Sequence, residues 1–367
     1  MAALDYTYLL TDLMSGKVLS DAIAFSLSSY ARQLNNSSDC SGTLDLSDDA
    51  VRRLSDPIAA TEPRRTALWV IRDTQLVWGG IIWTRRYRSA DYNLELTAST
   101  PESYFARRRI RDTLTYNQVD QHAIIAALVN NAQARAYGNI GIRVPATSSS
   151  GRLRDRTFYW HERATYLERM QQLSEVIDGP DWTMTPDWVA QNTPGWYLNI
   201  GTPLGVTRVG NELEFPGDFR NYSWPDDGGN SANFWSAIGD PDANDVPRIR
   251  DAQMPAEWQA GIPLLEDVSD HSGVSQVDTL TSYAQANVRA NAGNRTVPEG
   301  TLRLMDASDI PQPGDRYRLR ITDPYRFPPN PITGAPGLVT SLRITAWTVN
   351  VSAEEGETIT LTFEGGG

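Results

Sequence analysis

The sequence predicts a mainly β protein with α/β insertions: two small β-barrel or sandwich units, one at each end, and a mixed α/β middle region. Two observations support this fold class. Short segments of alternating apolar and polar residues cluster before residue 112 and again after residue 297. Between these clusters, apolar residues recur at helical spacing. The 367 residues suffice for two to four domains.

The first predicted unit, residues 1–112, is an N-terminal β-barrel. Its strands are indicated by side chains that alternate with polar positions, as in a half-buried sheet. These side chains are Tyr6, Tyr8, Leu10, Ile23, Phe25, Leu27, Leu44, Leu46, Tyr92, Leu94, Leu96 and Ala98.

A hairpin is predicted in the middle of this unit. Residues 67–71 and 76–84 are rich in Trp, Val and Ile, and residues 72–75 join them as a loop. Gly79 and Gly80 lie inside the second run. Glycine pairs inside a strand predict a bulge or a sharp bend, as at the corner of a barrel.

The second predicted region, residues 113–200, is mixed α/β. Asn117 is a candidate N-cap for a helix whose buried face carries Ile124, Ile125, Leu128 and Val129. Residues 145–157 are predicted to form a loop. A second helix is expected from about His161 to Asp178, with an apolar stripe of Leu167, Met170, Leu173 and Ile177, and Gly179–Pro180 ends it.

The third predicted region, residues 201–296, is rich in Trp, Pro and Asp and belongs partly to the second barrel. Short strands are expected at 195–200 and 205–215, and long ordered loops at 225–255. A helix is expected from Ser275 to Ala292, with Val277, Leu280, Ala284 and Val288 on one side.

The last predicted unit, residues 297–367, is a C-terminal β-barrel. A turn at Pro311–Asp315 precedes a strand, residues 338–351 are long enough for a bent strand, and residues 358–363 alternate strictly. The apolar positions of these strands are Leu302, Leu304, Tyr317, Leu319, Ile321, Ile359, Leu361 and Phe363. No sequence repeat links the two β units, so they are similar in pattern alone.

The composition excludes several classes of protein. The net charge is -12, which argues against a duplex-DNA binder because such proteins need a basic face. No run reaches the roughly 20 apolar residues of a membrane helix, and the first six residues show no signal peptide. Cys40 is the single cysteine, so an intrachain disulfide is excluded. Lys17 is the single lysine, which fits either a GC-rich genome or arginine ion pairs between subunits.

No catalytic, cofactor-binding or metal-binding residues are predicted, and the chain is not expected to be an enzyme. His122, His161 and His271 stand far apart and lack the spaced partners of known catalytic or metal motifs. The sequence contains no Gly-rich phosphate-binding loop, and Cys40 has no evident base.

Two groups of acidic residues are weak candidates for chemistry. Residues 240–245, with Asp251 at the twelfth place, imitate a calcium loop but lack the glycine at its sixth place, so solvated acids are favoured. Asp181, Asp187, Asp226 and Asp227 lie in a Trp-rich segment, as in proteins that bind or cleave glycans. The favoured interpretation is that these tryptophans pack domains against each other and against neighbours; they are Trp182, Trp188, Trp196, Trp224, Trp235 and Trp258.

The densest basic run is formed by Arg107, Arg108, Arg109 and Arg111. A nucleic-acid site is one interpretation, but no aromatic platform is interleaved with these arginines. An intersubunit ion-pair strip or a solvated edge is favoured.

The order of these elements resembles a known family. In the N-terminal third the resemblance is carried by residues 68–71, 76–82 and 92–98 and by the helical start at 102–108. In the C-terminal third it is carried by an Ala- and Arg-containing helix, residues 283–290, and by the Pro-Gly-Asp turn that precedes a strand, residues 313–315. The sequence is similar to minor tail or hub proteins of siphophages that infect actinobacteria, which are Tal-like tail-tip (baseplate) hubs with two tube-forming barrels.

The resemblance implies a virion structural protein at the tail tip, assembled in the host cytoplasm. Three subunits with two barrels each would form a ring that continues the tail tube. The implied partners are the distal tail ring protein, the tape measure protein and a central fibre, spike or other minor tail protein. Genome DNA would pass through the lumen without specific binding, and the protein would have neither a cofactor nor a membrane insertion of its own. A hexameric distal tail ring protein and a cell-wall glycan-binding or glycan-cleaving module are the alternatives.

Overall fold

The structure, a computed structural model, describes residues 6–21, 23–52, 56–229, 231–293, 296–304, 310–352 and 356–365. The chain is mainly β, with 47% of its residues in strands and 17% in helices, as the alternating pattern predicts. The strands are β1 (Tyr6–Asp12), β2 (Val18–Ser20), β3 (Phe25–Gln33), β4 (Asp39–Asp45), β5 (Thr66–Arg72), β6 (Gln75–Arg88), β7 (Asn93–Ser99), β8 (Leu114–Asp120), β9 (Ile142–Arg143), β10 (Leu153–Phe158), β11 (Asp181–Ala190), β12 (Thr193–Gly201), β13 (Thr207–Phe215), β14 (Phe219–Ser223), β15 (Phe234–Pro241), β16 (Pro247–Gln253), β17 (Glu266–Asp270), β18 (Glu299–Arg303), β19 (Arg316–Ile321), β20 (Leu338–Ser352) and β21 (Gly356–Phe363).

Helices are few and mostly short. They are α1 (Asp49–Arg52), α2 (Pro57–Ala60), α3 (Glu102–Phe105), α4 (Gln121–Ala134), α5 (Tyr166–Ser174), α6 (Pro255–Gln259) and α7 (Val277–Asn291), with a 3-10 turn at Trp160–Glu162. Within the described ranges, no helix has both the length and the apolar character needed to cross a membrane.

One large sheet contains the strands of both chain ends. The N-terminal β unit has the strand order β2-β1-β5-β6-β7-β4-β3, and the C-terminal β unit continues it as β20-β21-β18-β14. Strands β19 and β13 extend from β20 on a second path. The two units are joined by antiparallel pairing of β3 with β20, in which Ser29 lies opposite Asn350 and Gln33 opposite Ala346. We call this pairing the seam.

A common apolar core lies beneath both β units. Tyr30 of β3 packs edge-on against Trp347 of β20, with ring centroids 5.7 Å apart. Alternation is confirmed at both ends of the chain, because most of the side chains it places inward are buried in this one core, whereas Tyr92 lies before β7 and is 59% exposed. The buried ones include Tyr8, Leu10, Phe25, Leu27, Leu44, Leu94, Leu96, Ala98, Leu304, Leu319, Ile359, Leu361 and Phe363.

The opposite face of the N-terminal β unit packs against the middle region. Leu9, Trp69 and Ile81 point to this side and share a second core with α4, α5, β11 and β12. The Trp69 ring stacks on the Trp196 ring with centroids 4.4 Å apart. The N-terminal β unit is therefore buried on both faces at β1, β5 and β6.

The predicted glycine bulge is misplaced. The extra residues of β6 are Val77 and Trp83, where the register with β5 and with β7 shifts. A Cβ on Gly79 would lie 2.3 Å from the Trp69 ring, and a Cβ on Gly80 would lie 2.5 Å from the Ser99 carbonyl oxygen. Because Gly79 and Gly80 have no side chain, the Trp69 ring and the Ser99 carbonyl group can pack closely against β6. The hairpin loop is also shorter than predicted, because it consists of residues 73–74.

The middle region differs from the sequence prediction at its element ends. Asp120, not Asn117, caps α4: its Oδ1 accepts the backbone N–H of His122 at 2.9 Å, and Asn117 lies in β8. The predicted loop 145–157 ends in strand β10, which pairs with β8. Helix α5 is shorter than 161–178 because Thr165 and Glu168 form a capping box that starts it at Tyr166.

The prediction of long loops at 225–255 is wrong. Strands β15 and β16 form a hairpin there, and β17 adds a parallel third strand. Ala237 and Ala252 of this small sheet pack against α7. Helix α7 lies within the predicted range 275–292, and Leu280, Ala284 and Val288 are buried, whereas Val277 is 38% exposed.

Candidate assembly site

A buried polar network lies under the seam. Arg32 of β3 is 4% exposed and donates to Gln312 Oε1 at 3.0 Å and Thr185 Oγ1 at 3.4 Å. Glu102 is 2% exposed and accepts the backbone N–H of Met184 at 2.7 Å. Burial lowers the pKa of Arg32 to about 10 and raises the pKa of Glu102. The network thus contacts both β units and the middle region.

A second buried contact fixes the C-terminal β unit to the middle region. Arg343 of β20 forms an ion pair with Asp181 of β11 and donates to the carbonyl oxygens of Gly314 at 3.1 Å and Leu204 at 2.9 Å. Asp181 also accepts the backbone N–H of Leu204 at 3.0 Å and the side-chain amide of Asn35 at 3.2 Å. This candidate carboxylate therefore has a structural role.

The cleft beside the seam lacks the groups for acid–base chemistry. Its volume is about 330 Å³. The described residues that line it include neither a carboxylate nor a histidine, and they are Arg32, Gln75, Leu76, Val77, Thr185, Arg208, Ile310, Gln312 and Trp347. A hydrolytic site of the two-carboxylate type does not fit this lining.

The remaining candidate acids are bonded to groups close to them. Asp187 accepts the backbone N–H of Trp188 at 2.7 Å, Asp226 forms an ion pair with Arg326 at 2.5 Å, and Asp227 closes a turn by accepting the N–H of Gly229 at 2.8 Å. Each carboxylate has a local partner. The described residues contain no group of three or more His, Cys, Asp or Glu arranged to hold a metal ion.

The three histidines lie in different surroundings. His122 is buried and bonded to the carbonyl oxygen of Ser148 at 2.8 Å and to Thr202 Oγ1 at 2.9 Å. His161 is exposed and stacks on the Tyr159 ring. His271 is buried between β17 and α7.

Cys40 is buried in the common core, and burial raises the pKa of its thiol, so it is not an activated nucleophile.

The tryptophans of the 180–260 segment pack within the chain. Trp182 and Trp196 are buried in the second core, and Trp224 packs edge-on against Phe327 at 5.2 Å. The indole N–H groups of Trp235 and Trp258 donate to Ser269 Oγ and Asn233 Oδ1, both at 2.9 Å. Indoles committed to internal contacts are not arranged as an open platform for a sugar ring.

The predicted calcium-like loop is the turn of the β15–β16 hairpin. Asp242 Oδ1 accepts the backbone N–H groups of Asn244 at 2.8 Å and Val246 at 3.2 Å. Asp240 Oδ1 accepts the N–H of Gly273 at 2.8 Å, and Asp251 Oδ1 accepts the hydroxyl of Ser236 at 2.8 Å. These carboxylates hold the hairpin and its neighbour in shape.

The basic run forms a concave surface that was not predicted from the sequence. Arg107, Arg108, Arg109 and Arg111 are joined by Arg135, from the end of α4, around a cleft of about 470 Å³. We call it the arginine cleft. Arg107, Arg108, Arg109 and Arg111 are close together in the sequence, whereas Arg135 is brought to them because α4 packs against α5, which also contacts α3.

The large sheet also has terminal strands that are available for assembly. In the described part of the chain the main strand order ends at β2 on one side and at β14 on the other, and the second path ends at β13, so each of these three strands has one hydrogen-bonded neighbour. Edge strands present backbone N–H and C=O groups to which another chain can pair.

Comparison with known proteins identifies the fold. No family model matches the sequence, and no curated protein matches it either. Among solved structures, prophage tail protein gp18 from Listeria monocytogenes superposes with a TM-score of 0.56 at 12% identity, covering 97% of this chain and 94% of that chain. The chain has the fold of phage tail proteins.

Two further tail proteins match over nearly their whole length. The 43 kDa tail protein of prophage MuSo2 from Shewanella oneidensis has a TM-score of 0.59 at 12% identity, with 98% of each chain covered. A tail protein from Neisseria meningitidis has a TM-score of 0.57 at 11% identity, covering 98% of this chain and 96% of that chain. The arrangement of β units around a seam therefore lies within a tail-protein fold.

Proposed function

We propose that this chain is a structural protein of a phage tail tip, a hub that forms a homotrimeric ring continuing the tail tube. The observation that carries the proposal is the seam, which places two β units side by side within one sheet. Three such chains provide six β units around one axis, so a three-fold assembly can match a six-fold tube. The fold shared with tail proteins supports the same role.

The proposal includes the division of the chain into four parts: 1–112, 113–200, 201–296 and 297–367. Pairing of β13 with β19 and of β14 with β18 supports assigning part of the third to the C-terminal β unit. A structural rather than catalytic role is supported by the local partners of the candidate acids.

In this proposal the ring docks on the distal tail ring protein and the tape measure protein above, and on a central fibre, spike or other minor tail protein below. The net charge of -12 supports a lumen that lets DNA pass without adhering, because like charges repel phosphates. The protein is located at the tail tip of the virion.

The mass of the purified full-length chain tests this function. Light scattering after gel filtration is expected to give three times the chain mass of 40.7 kDa, and negative-stain images a ring with a central channel. A mass of six chains indicates a distal tail ring protein instead. A stable monomer that binds or clears cell-wall glycan overturns the hub proposal.

A further inference from the structure

Charge is distributed unevenly along the chain. Residues 226–278, which we call the acidic segment, contain eleven carboxylates and two arginines and so carry most of the net charge of -12. This segment includes the β15–β16 hairpin, α6 and β17. A surface of such one-sided charge favours a basic partner.

The most prominent part of the acidic segment is the hairpin tip, residues 240–246. Asp242, Asp245 and Val246 are exposed, and Val246 retains 57% of its accessible surface. The backbone N–H groups that Asp242 accepts hold the tip in one conformation and lower the pKa of this carboxyl, so it is ionised. Within the described residues, no ion pair joins a carboxylate of the tip to a basic side chain.

The arginine cleft has the opposite character. Arg108 donates to the carbonyl oxygen of Ala132 at 2.8 Å, and Arg109 donates to the carbonyl oxygen of Arg163 at 2.9 Å. These contacts hold two guanidinium groups in place before any partner binds. Asp112 pairs with Arg135 but is itself exposed, with 75% of its side-chain surface accessible. The cleft therefore gathers five cations, one of which is paired with a carboxylate.

Arg107 and Arg111 complete the cleft and are the least constrained. Both are exposed. The Arg107 guanidinium lies over the Trp83 ring at 5.8 Å from its centroid, a contact that leaves its N–H donors for a partner. Arginine forks bind carboxylates in bidentate geometry, so an acidic polypeptide suits this cleft.

We propose that the hairpin tip of one copy docks into the arginine cleft of the next copy in the ring. This inference rests on the proposed homotrimer. A closed ring requires heterologous interfaces, in which two different surfaces of the same chain meet. The tip and the cleft are two such surfaces, opposite in charge and not paired with each other inside one chain. The negative charge of the whole chain favours this partner over a nucleic acid.

Substitutions that change the charge on each side test the contact. The cleft variant is R107E/R111E, which keeps the anchored Arg108 and Arg109. The tip variant is A243R/D245N, which retains Asp242 and places Asn at position 245, where φ is 63° and Asn is well tolerated. A third chain carries all four substitutions. R289E, an exposed arginine of α7 outside the cleft, is the control.

Sedimentation equilibrium on the full-length proteins measures assembly. Each one-sided variant is expected to raise the dissociation constant at least about tenfold, because like charges then meet at the contact. The four-substitution chain is expected to recover assembly to within about threefold of the wild type, because the arginine introduced in the tip then faces the glutamates introduced in the cleft. R289E is expected to assemble as the wild type does, and circular dichroism verifies that every variant is folded.

The outcomes separate this inference from the proposed function. If the wild type is a trimer and the one-sided substitutions on either side leave it unchanged, the contact is wrong and the hub proposal stands. Failure of the four-substitution chain to recover assembly also overturns the contact. A wild type that stays monomeric contradicts the proposed function first. Binding of a labelled single-stranded oligonucleotide that is lost in R107E/R111E, with assembly intact, identifies the cleft as a nucleic-acid site instead.

Discussion

At the scale of single residues, His271 shows how burial fixes a protonation state. The side chain is 5% exposed and stacks on the Tyr283 ring, with centroids 3.6 Å apart. Its Nε2 is bonded to Ser269 Oγ at 2.8 Å, whereas its Nδ1 has no hydrogen-bond partner among the residues that the structure describes. Burial, and secondarily the nearby Arg156, lowers the pKa of His271 to about 4, against the weaker opposite effect of Asp270. The imidazole is therefore neutral in the folded protein above about pH 4.

This neutral histidine predicts a pH dependence of stability. In the unfolded chain His271 gains its proton near pH 6.5, whereas in the folded chain it does so near pH 4. The unfolded state therefore binds more protons between these values, and stability is lost as the pH falls through this window. In H271Q, the melting temperature is expected to fall less between pH 7 and pH 4.5 than in the wild type, as measured by circular dichroism.

H161Q is the matched control for this prediction. His161 is exposed, so its replacement is expected to leave the wild-type pH profile unchanged. Parallel pH profiles for H271Q and the wild type would show that His271 contributes nothing to acid sensitivity.

The hairpin glycines also belong to the residue scale. Their positions inside a strand pattern were evident from the sequence, but their role was not. The Trp69 ring, on β5, packs against Gly79 on the neighbouring strand β6 and leaves no room for a side chain there. This contact depends on the pairing of β5 with β6. A sequence pattern indicates the local conformation of the chain, but it does not identify the side chain from another strand that packs against a given residue.

At the scale of elements, the ion pair of Arg343 and Asp181 joins β20 to β11. The side chains are 9% and 14% exposed, so both charges are largely removed from water. Because Arg343 also donates to two backbone carbonyl groups, its removal leaves several buried acceptors without a partner.

We expect R343M to lower the free energy of unfolding by about 3–5 kcal/mol, because it leaves the Asp181 carboxylate buried and unpaired. Urea unfolding monitored by circular dichroism measures this change. R318M is the control on the adjacent strand β19, where the ion pair with Glu212 is exposed, and it is expected to cost under about 1 kcal/mol. Equal effects of the two substitutions would contradict the role assigned to burial.

Elements with one apolar face were predictable, and polar elements were not. Strand β21 alternates strictly because one face lies in the common core, and the sequence revealed it. In contrast, β16 and β17 are mostly exposed and carry mainly polar residues, so they resembled loops. Their conformation depends on pairing with β15, which in turn packs on α7. The start of α4 was misplaced for a different reason. Asn and Asp are both favoured at the N-cap of a helix, so the sequence offers Asn117 and Asp120 without deciding between them.

At the scale of the whole molecule, the two β units share one core. Leu44 of β4 and Leu361 of β21 are both fully buried in it, although they lie in different units. The seam continues the sheet hydrogen bonds from one unit to the other. A shared core and a continuous sheet couple the stabilities of the two units.

We therefore expect the two β units to unfold in one transition. L44A and L361A are each expected to destabilise that same transition by about 2–5 kcal/mol, because each leaves a cavity in the common core. Urea unfolding is followed in parallel by tryptophan fluorescence and circular dichroism, and the two curves are expected to coincide. Two separate transitions, with each substitution moving a different one, would show that the units are independent.

The arginine cleft and the hairpin tip were only partly predictable from the sequence. Four arginines within five residues were visible as a basic run, and the acids of residues 240–245 as a group. Their shapes, a cleft completed by Arg135 and a rigid hairpin tip, arise from packing between elements distant in sequence.

The sequence by itself determined that the chain is mainly β, where its core-facing strands lie, and that its charge is unevenly distributed. These features follow from side-chain period and composition, which are local or additive properties. The tertiary structure alone decided that the two β units join at β3 and β20, that the polar strands of the acidic segment form a sheet, and that the arginines enclose a cleft. Strand partners and clefts depend on contacts between distant residues, and no local pattern specifies which segments meet.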